Sequence, residues 1–453
     1  MTTSQAEGTA GFGPPEPDLT PEQLVERAIA LRPKLIEQQA ETEARTYYSQ
    51  ELHEDFLAAG FYRLYIPRRY GGYEFDVTTM VRLMFELARG CPSTAWCMGL
   101  ASGHALQLAS WWGEQAQSEI FGDGDFRAAS VAAPIGMATP LDDGWELNGK
   151  VSYCSGIPYS THYMGQALTP GQHGGGQSTG EPGPMLLFYA QRGAWEMLDD
   201  WGDTLGLKGS GSHSIVFSHG RIPRHWALEN TFMVDVSSDD GTPGFALHGN
   251  PLYVGRALGP FTMSLAAAII GAGFNALDQL EAEMRAKMTP LPPFIPRFHD
   301  SDFQRYFGGA KARLEMARAA LYRAADMHTE FCRRFAETGQ PFSYADDMLV
   351  GAIAREAYIF AWEAMEGHIW RAAGSSSTRD GERMQRMFRD MAMIAGHRNT
   401  GLRDFAHREL AAETFGIPRE PGTGARLLVR ARSLHASAAR STIAGGGVRG
   451  RKS

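Results

Sequence analysis

The sequence predicts an α+β protein in which a helical domain, a small β-barrel domain and a four-helix bundle follow one another along the chain. Apolar residues recur at helical spacing over roughly the first 120 residues, short apolar stretches then alternate with turn dipeptides, and helical spacing returns near Gly255. A chain of 453 residues is also too long for one ordinary core. We therefore expect domains at 20–126, 127–250 and 251–435, with a disordered tail at 1–19 and a flexible tail at 436–453.

Composition excludes several functional classes. Apolar residues make up 43% of the chain, and 43 Lys+Arg against 51 Asp+Glu give a net charge of −8, so no basic excess indicates a nucleic-acid partner. The four cysteines show neither a CxxC pair nor metal-ligand spacing, which favours a reducing cytoplasm and predicts no metal site. The longest apolar run, Leu265–Phe274, is far shorter than the roughly 20 residues of a membrane span, and the first residues lack a signal-peptide pattern. A cytoplasmic enzyme is the expectation.

The first domain carries clear helix boundaries. Thr20, Pro21 and Gln23 form the pattern of a capping box with proline at the first helical position. Gly60 is placed to end a second helix, and Asp76 to cap a third. A fourth helix is predicted to start after Pro92 and to carry Trp96, Leu100, His104, Leu108 and Trp111.

Turn signals and short apolar stretches predict the β domain. Asp142-Asp143-Gly144 indicates a turn, and Asn148-Gly149 is typical of a tight hairpin. Met185–Ala190 and Ser214–Ser218 are predicted strands. The glycine-rich stretch Thr169–Pro184 is predicted to be a mobile surface loop, because it offers little that can pack.

The last domain is predicted to be a helical bundle. Phe261–Leu277 is apolar on all sides, which is typical of a buried helix. Further helices are expected around 300–337, 343–373, 382–396 and 400–414.

Four short motifs resemble those of one superfamily. They are Pro67 followed by Tyr70-Gly71-Gly72, the strand end Val151–Gly156, the segment Trp201–Ser212, and Arg221-Ile222-Pro223. In this order and at this length, the chain resembles the acyl-CoA dehydrogenase fold, which implies the α, β, four-helix-bundle architecture and a homotetramer.

A second set of motifs resembles one branch of that superfamily. Arg386, Arg389-Asp390 and His397, together with His104 in the first domain, are similar to the pattern of two-component flavin-dependent monooxygenases. That branch includes the oxygenase components that act on p-hydroxyphenylacetate, phenolic steroid rings and dibenzothiophene. The resemblance implies hydroxylation of an aromatic, phenolic or polycyclic small molecule by reduced FMN or FADH2 and O2, through a C4a-(hydro)peroxyflavin. An NAD(P)H-dependent flavin reductase would be the partner.

The same resemblance assigns residues to the site. His397, His104 and Ser155 are the predicted catalytic residues: Ser155 to bond the flavin N5, His397 to assist oxygen activation or substrate deprotonation, and His104 to orient the substrate. Histidine suits such a role because its pKa of about 6.5 lies near neutrality. Trp112 joins His104 as a predicted substrate contact. The predicted flavin-binding residues are Tyr153, Ser155, Gly156, Lys208, Gly209, Ser210, Ser212 and His213, and the backbone N–H groups of the 209–214 segment are expected to hold a phosphate or the pyrimidine edge.

Two departures leave alternatives open. Gln304 stands where the FAD-binding dehydrogenases carry an arginine, which favours weaker dinucleotide binding and FMN. Asp380 is the one acidic residue in the stretch matched to the dehydrogenase base, so a flavin dehydrogenase or oxidase with Asp380 as base is one alternative. A non-catalytic helical scaffold, which would bind no flavin, is the other.

Overall fold

The computed structural model describes residues 13–418 except 123, 173–177 and 257. The predicted tail at 436–453 and most of the one at 1–19 lie outside these residues. Within them, seven helices precede the sheet: α1 Pro21–Glu37, α2 Gln39–Arg45, α3 Gln50–Ala59, α4 Val77–Gly90, α5 Pro92–Gly103, α6 Ala105–Trp111 and α7 Glu114–Phe121. The predicted caps are confirmed, because Thr20 and Gln23 form a reciprocal capping box, Asp76 caps α4, and Gly60 ends α3 with φ +80°.

The fourth predicted helix is wrong in one respect, because it breaks at His104 into α5 and α6. The His104 side chain donates from Nδ1 to the Leu100 carbonyl at 2.7 Å. In an unbroken helix that carbonyl would accept the backbone N–H of His104, which instead bonds Ser102. The side chain thus replaces a backbone bond, and the helix bends at a predicted site residue.

One sheet forms the middle of the chain. Its described strands are β1 Ala128–Ser130, β2 Gly136–Pro140, β3 Gly144–Val151, β4 His162–Gln172, β5 Ser178–Gln191, β6 Glu196–Met197, β7 Ile215–Pro223 and β8 Ala227–Leu228. The order is β6-β7-β3-β2-β4-β5-β8, with β1 beside β4. The sheet curls round its own core rather than closing into a hydrogen-bonded ring, so that Phe188 on β5 and Phe217 on β7 lie 6.0 Å apart between ring centroids.

The turn and loop predictions for this sheet have mixed outcomes. Asp142-Asp143-Gly144 does connect β2 to β3. Asn148-Gly149 is not a hairpin turn; it lies within β3, where the register with β7 shifts between Leu147 and Gly149, so the glycine serves a bulge. Parts of the predicted loop Thr169–Pro184 are strand, because β4 and β5 continue pairing to Gln172 and Ser178. The Thr169 hydroxyl also joins the two strands, because it donates to the Pro184 carbonyl at 2.9 Å.

The remaining described helices are α8 Pro243–His248, α9 Leu258–Ala286, α10 Ser301–Thr338, α11 Tyr344–Ala364, α12 Trp370–Ala373, α13 Arg383–Ala395, α14 Arg398–Gly401 and α15 Arg403–Thr414. As predicted, α9, α10, α11 and α13 pack together as a bundle around α9. By length and composition α9 would suffice to cross a membrane, but 94% of its apolar window is buried inside the protein.

Both helical parts share one hydrophobic core, and the sheet has a second one of its own. In particular, α4 of the first part packs along α9 of the last part. The change from helix to strand falls between Phe121 and Ala128, and β8 is the last described strand. The domain limits at 126/127 and 250/251 stay predictions.

Candidate active site

Four segments that are distant in sequence meet at the predicted site. Trp96 comes from α5, Ser155 from the turn after β3, Ser212 from the connection that leads into β7, and His397 from the turn between α13 and α14. The helical domain, the sheet and the bundle each contribute, so the site exists only in the folded chain.

Ser155 stands at the end of a chain of hydroxyl groups. Its Oγ lies 2.7 Å from Oγ of Ser212, which in turn lies 2.7 Å from Oγ of Ser210, and it accepts the indole N–H of Trp96 at 3.1 Å. A serine hydroxyl has one proton and two acceptor positions. If Ser155 donates to Ser212, one acceptor position remains open; if Ser212 donates to Ser155, one O–H remains open. Either way, Ser155 can bond one further group.

The backbone around Ser155 is held in unusual conformations. Tyr153 has φ +66°, although it carries a side chain. The residue is 60% exposed, and its ring meets that of Trp201 edge-on with the centroids 5.3 Å apart. Gly156 has φ +84°, and a Cβ there would lie 2.5 Å from the Cys97 carbonyl oxygen, so only glycine fits between this turn and α5. Backbone strain of this kind often accompanies functional sites.

The predicted Arg-Asp motif on α13 anchors the serine-bearing segment. Asp390 is buried; it accepts the Leu207 backbone N–H at 2.6 Å and the Ser93 hydroxyl at 3.3 Å. Burial raises its pKa to about 6, and the Leu207 bond opposes that rise. Arg389 donates to the Leu205 carbonyl at 2.9 Å. These residues therefore position the 205–212 segment from outside it.

Two substitutions of Asp390 test this anchoring. Asp390→Ala leaves two buried donors without an acceptor, and we expect it to lower the free energy of unfolding by about 2 kcal/mol and to weaken reduced-flavin binding. Asp390→Asn keeps an oxygen that accepts the Leu207 N–H, so it should retain most of the stability and most of the affinity for reduced flavin. Thermal unfolding and anaerobic flavin titration measure the pair, and equal behaviour of the two variants would contradict the anchoring role.

His397 presents a proton donor rather than a free base. It is the N-cap of α14, where its Nδ1 accepts the Asn399 backbone N–H at 3.2 Å. Burial lowers the pKa of His397 to about 4, so the ring is neutral near pH 7 and its proton is on Nε2. The His397 ring meets the Trp96 ring edge-on, with the centroids 5.2 Å apart, and the indole N–H of Trp96 bonds Ser155.

His104 has its proton on the other ring nitrogen from His397. Its Nδ1 donates to two carbonyl oxygens, those of Leu100 and Ala128, each at 2.7 Å. Carbonyls only accept, so the proton must be on Nδ1 and the lone pair on Nε2. Burial lowers the pKa of His104 to about 4, which keeps the ring neutral. His104 thus offers an acceptor where His397 offers a donor.

A cavity of about 100 Å³ is lined by residues that contact the two histidines, while neither histidine lines it directly. Phe261 lines it and meets the His104 ring at 5.8 Å, and Asn399, whose backbone is capped by His397, lines it on another side. Asp347 and Arg355 are charged lining residues contributed by α11. The cavity is our candidate for the substrate site.

Two other predicted site residues have well-defined surroundings. Trp112 is fully buried against Tyr189, whose hydroxyl bonds the His104 carbonyl, and its predicted substrate contact stays a prediction. Both ring nitrogens of His213 are engaged, by the Thr46 hydroxyl at 2.9 Å and the Asp200 backbone N–H at 3.2 Å. The His213 ring therefore has no hydrogen-bonding atom left for a flavin.

The expected row of free backbone N–H groups is partly occupied. The N–H of Ser210 bonds the Leu207 carbonyl, and that of Gly211 bonds the Thr46 carbonyl. Gly209 is needed for close approach, because a Cβ there would lie 2.5 Å from the Thr42 methyl carbon. Lys208 is half-buried on the same segment. Asp380, the base of the dehydrogenase alternative, is exposed and bonded to Gln385, outside this cluster.

Sequence reasoning missed the groups that join the two histidines to the rest of the site. Trp96 precedes His104 by eight residues, close to two helical turns, and that spacing is the signal that points to it. Arg355 and Asp347 carry no local signal, because an isolated charged residue in a helix is usually solvent-facing.

Two models of one family match the chain. The acyl-CoA dehydrogenase N-terminal domain model matches residues 22–121, and the C-terminal domain model matches residues 263–401.

Curated relatives match too. The chain is 28% identical over 259 residues to the flavin-dependent monooxygenase oxygenase subunit HsaA of Rhodococcus jostii, covering 56% of this chain and 63% of that one. It is 23% identical over 420 residues to the p-hydroxyphenylacetate 3-hydroxylase oxygenase component of Acinetobacter baumannii, covering 89% and 92%. Among solved structures, XiaF from Streptomyces sp., in complex with FADH2 and glycerol, is similar with a TM-score of 0.79 and 23% identity. The match covers 88% of this chain and 96% of that one.

Proposed function

The chain belongs to the acyl-CoA dehydrogenase family, and from that premise we propose that it is the oxygenase component of a two-component flavin-dependent monooxygenase that hydroxylates an aromatic or phenolic small molecule. The relatives described above are oxygenase components of this kind. The cofactors are reduced FMN or FADH2 and O2. The observation that carries the proposal is the hydroxyl chain from Ser155 to Ser210, with one open bonding position at Ser155 and a neutral His397 packed against Trp96, which bonds Ser155.

The residues present fit a reduced flavin. Reduced flavin has an N–H at N5, and Ser155 can accept it when Ser155 donates to Ser212 and Ser212 to Ser210. The indole of Trp96 holds Ser155 in place by taking its other acceptor position. When bound, the reduced flavin supplies the electrons that activate O2.

The two histidines divide the remaining work. His104 offers Nε2 as an acceptor that orients a substrate hydroxyl, and His397 offers Nε2–H as a donor near the reacting centre. For His397 to take up a proton, its Nδ1 would have to release the cap on Asn399. Packing of Trp96 and Phe261 against these rings limits water at the site.

The dehydrogenase alternative lacks a suitable base at Asp380. A carboxylate that removes a carbon-bound proton needs a desolvated position near the flavin, because desolvation raises its basicity. Asp380 is exposed to solvent and bonded to Gln385.

The function is tested by adding O2 to the anaerobic mixture of the protein and reduced FMN or FAD. We expect reduced flavin to bind, and oxidised flavin to appear later than in a protein-free sample. Tightly held oxidised flavin without such a delay would indicate the dehydrogenase or oxidase, and binding of flavin in neither redox state would indicate the scaffold.

Ser155→Ala should release more hydrogen peroxide for each reduced flavin oxidised. The variant removes the group that bonds N5, and loss of one such bond corresponds to about a threefold to tenfold change. Ser110→Ala, which removes a buried hydroxyl in α6 away from this chain of serines, is the control. Unaltered peroxide yield in Ser155→Ala would remove Ser155 from this role.

The partner and the assembly complete the proposal. An NAD(P)H-dependent flavin reductase supplies the reduced flavin, in the cytoplasm, in keeping with four buried free cysteines. A homotetramer is supported by exposed apolar side chains in the α9–α10 connection, namely Met288, Leu291, Phe294 and Phe298. Light scattering should give four times the 49.6 kDa chain mass, and Leu291→Ser with Phe294→Ser should reduce it.

A further inference from the structure

Three buried polar residues that line the candidate substrate cavity keep hydrogen-bonding capacity beyond the bonds that they make, and Oδ1 of Asn399 makes none among the described residues. Asp347, Arg355 and Asn399 are 2%, 6% and 9% exposed, and all three line it. Buried polar groups without partners are costly, so such groups gathered at one cavity indicate a ligand that completes them.

Arg355 is a buried charge whose main charged neighbour, Asp347, forms no ion pair with it. Its Nε donates to the Asn399 carbonyl at 3.0 Å, and one terminal nitrogen donates to the Thr262 hydroxyl at 3.4 Å. Within the described residues no carboxylate oxygen lies within 4.0 Å of its guanidinium. A guanidinium has five N–H groups, so three remain for an acceptor. Gly351 leaves room for the guanidinium, because a Cβ there would lie 2.9 Å from its terminal nitrogen.

Asp347 has acceptor capacity to spare. Its Oδ1 accepts the Gly259 backbone N–H at 2.9 Å at the start of α9. Burial raises its pKa to about 6, and the nearby charge of Arg256 opposes the rise. The carboxylate is therefore largely ionised above pH 7, and one hydrogen bond uses only part of its capacity.

Asn399 contributes a second open acceptor. Its Nδ2 donates to the Thr262 hydroxyl at 3.1 Å, and that hydroxyl donates to the Leu258 carbonyl at 3.1 Å. Because the Thr262 proton is already used, the amide orientation is fixed. Oδ1 of Asn399 then has no partner among the described residues.

We infer that Arg355, Asp347 and Asn399 determine substrate specificity by binding a neutral polar group that both accepts and donates hydrogen bonds, as a primary carboxamide or a hydroxyl does. A carboxamide oxygen satisfies Arg355, and its two N–H groups satisfy Asp347 and Asn399. A carboxylate can also pair with Arg355, but it has no N–H group for Asp347 or Asn399, and the charge of Asp347 repels it. This inference rests on the proposed function, with the aromatic ring of the same substrate lying toward His104 and His397.

The test compares two phenols of equal size, 4-hydroxyphenylacetamide and 4-hydroxyphenylacetate, by calorimetric titration of the full chain at pH 7.5, with and without FMN. We expect the amide to bind about tenfold more tightly than the acid. Arg355→Met should weaken amide binding about tenfold. Arg403→Met is the matched control, because the Arg403 guanidinium pairs with Glu356.

Asp347→Asn is expected to tighten binding of the acid, whereas Arg355→Met weakens binding of the amide. The amide oxygen still accepts the Gly259 N–H, so the fold is retained, while loss of the charge should tighten binding of 4-hydroxyphenylacetate about fivefold or more. Thermal unfolding of each variant separates loss of recognition from loss of fold.

Three results would overturn the inference: equal or tighter binding of the acid, amide affinity of Arg355→Met within about twofold of the parent, or binding of neither phenol. None of them depends on turnover. If the protein selects the amide but does not delay flavin reoxidation, the result supports this inference and contradicts the proposed function. If it delays flavin reoxidation but does not select the amide, the result supports the proposed function and contradicts this inference.

Discussion

His397→Asn is expected to lower the hydroxylated product formed per reduced flavin oxidised by about tenfold or more, with the difference released as hydrogen peroxide. Asparagine places an oxygen near the position of Nδ1, so it can still accept the Asn399 N–H and cap α14. It cannot supply the Nε2–H donor. The substitution therefore separates the chemical role of the ring from its structural one.

His397→Ala is the companion variant. It removes the cap as well, so we expect a further loss of about 1 kcal/mol in the free energy of unfolding. Product by chromatography, peroxide by a coupled assay and thermal unfolding measure the three quantities. If His397→Asn hydroxylates as the parent does while His397→Ala fails, His397 acts only as a helix cap.

The pH dependence provides a second readout of His397. Burial lowers its pKa to about 4, so the ring stays neutral from about pH 5.5 upward. We expect no inflection near pH 6.5 from His397 in the coupling of product to flavin. An inflection there that disappears in His397→Asn would contradict the neutral-donor assignment.

His104→Asn is expected to weaken binding of a phenolic substrate by about tenfold while leaving the chain folded. The asparagine Nδ2 can take over donation to the Leu100 and Ala128 carbonyls, which His104 now serves from Nδ1. The acceptor at Nε2 is lost, and with it the bond to the substrate hydroxyl. Calorimetric titration with a phenol measures the loss directly.

His104→Ala distinguishes the two roles of His104. It leaves both carbonyls without a donor in the core, which costs about 1–3 kcal/mol for each unpaired group. We expect a clear fall in thermal stability with alanine and little with asparagine. If the folded His104→Asn variant binds a phenol as tightly as the parent does, His104 serves only to form the bend between α5 and α6.

Much of the fold follows from local rules. Thr20 with Gln23, Asp76 and Gly60 are helix boundaries because capping depends on a few neighbouring residues, and the structure has them where the pattern predicts. Asn148-Gly149 fails because its turn preference is overridden by pairing with β7, a strand some 70 residues away. Local preference decides only where no distant partner competes.

The same distinction between local and distant causes applies to the site. The resemblance of short sequence motifs to those of one family branch singles out Ser155, His104 and His397. The proton positions on the two histidines depend on Ala128 and on the cap of α14, which only the folded chain brings to them. No pattern in the sequence predicts that one ring accepts and the other donates.

What the chain alone encodes is therefore the order of its elements, the family and the residue types that the chemistry requires, since these depend on spacing along one segment. Tertiary structure buries Trp112 against Tyr189, engages both ring nitrogens of His213, joins Ser155 to Ser212, and places Arg355 and Asp347 at one cavity. Burial, hydrogen-bond partners and pKa values belong to the surroundings of a side chain, and those surroundings come from segments that meet only on folding.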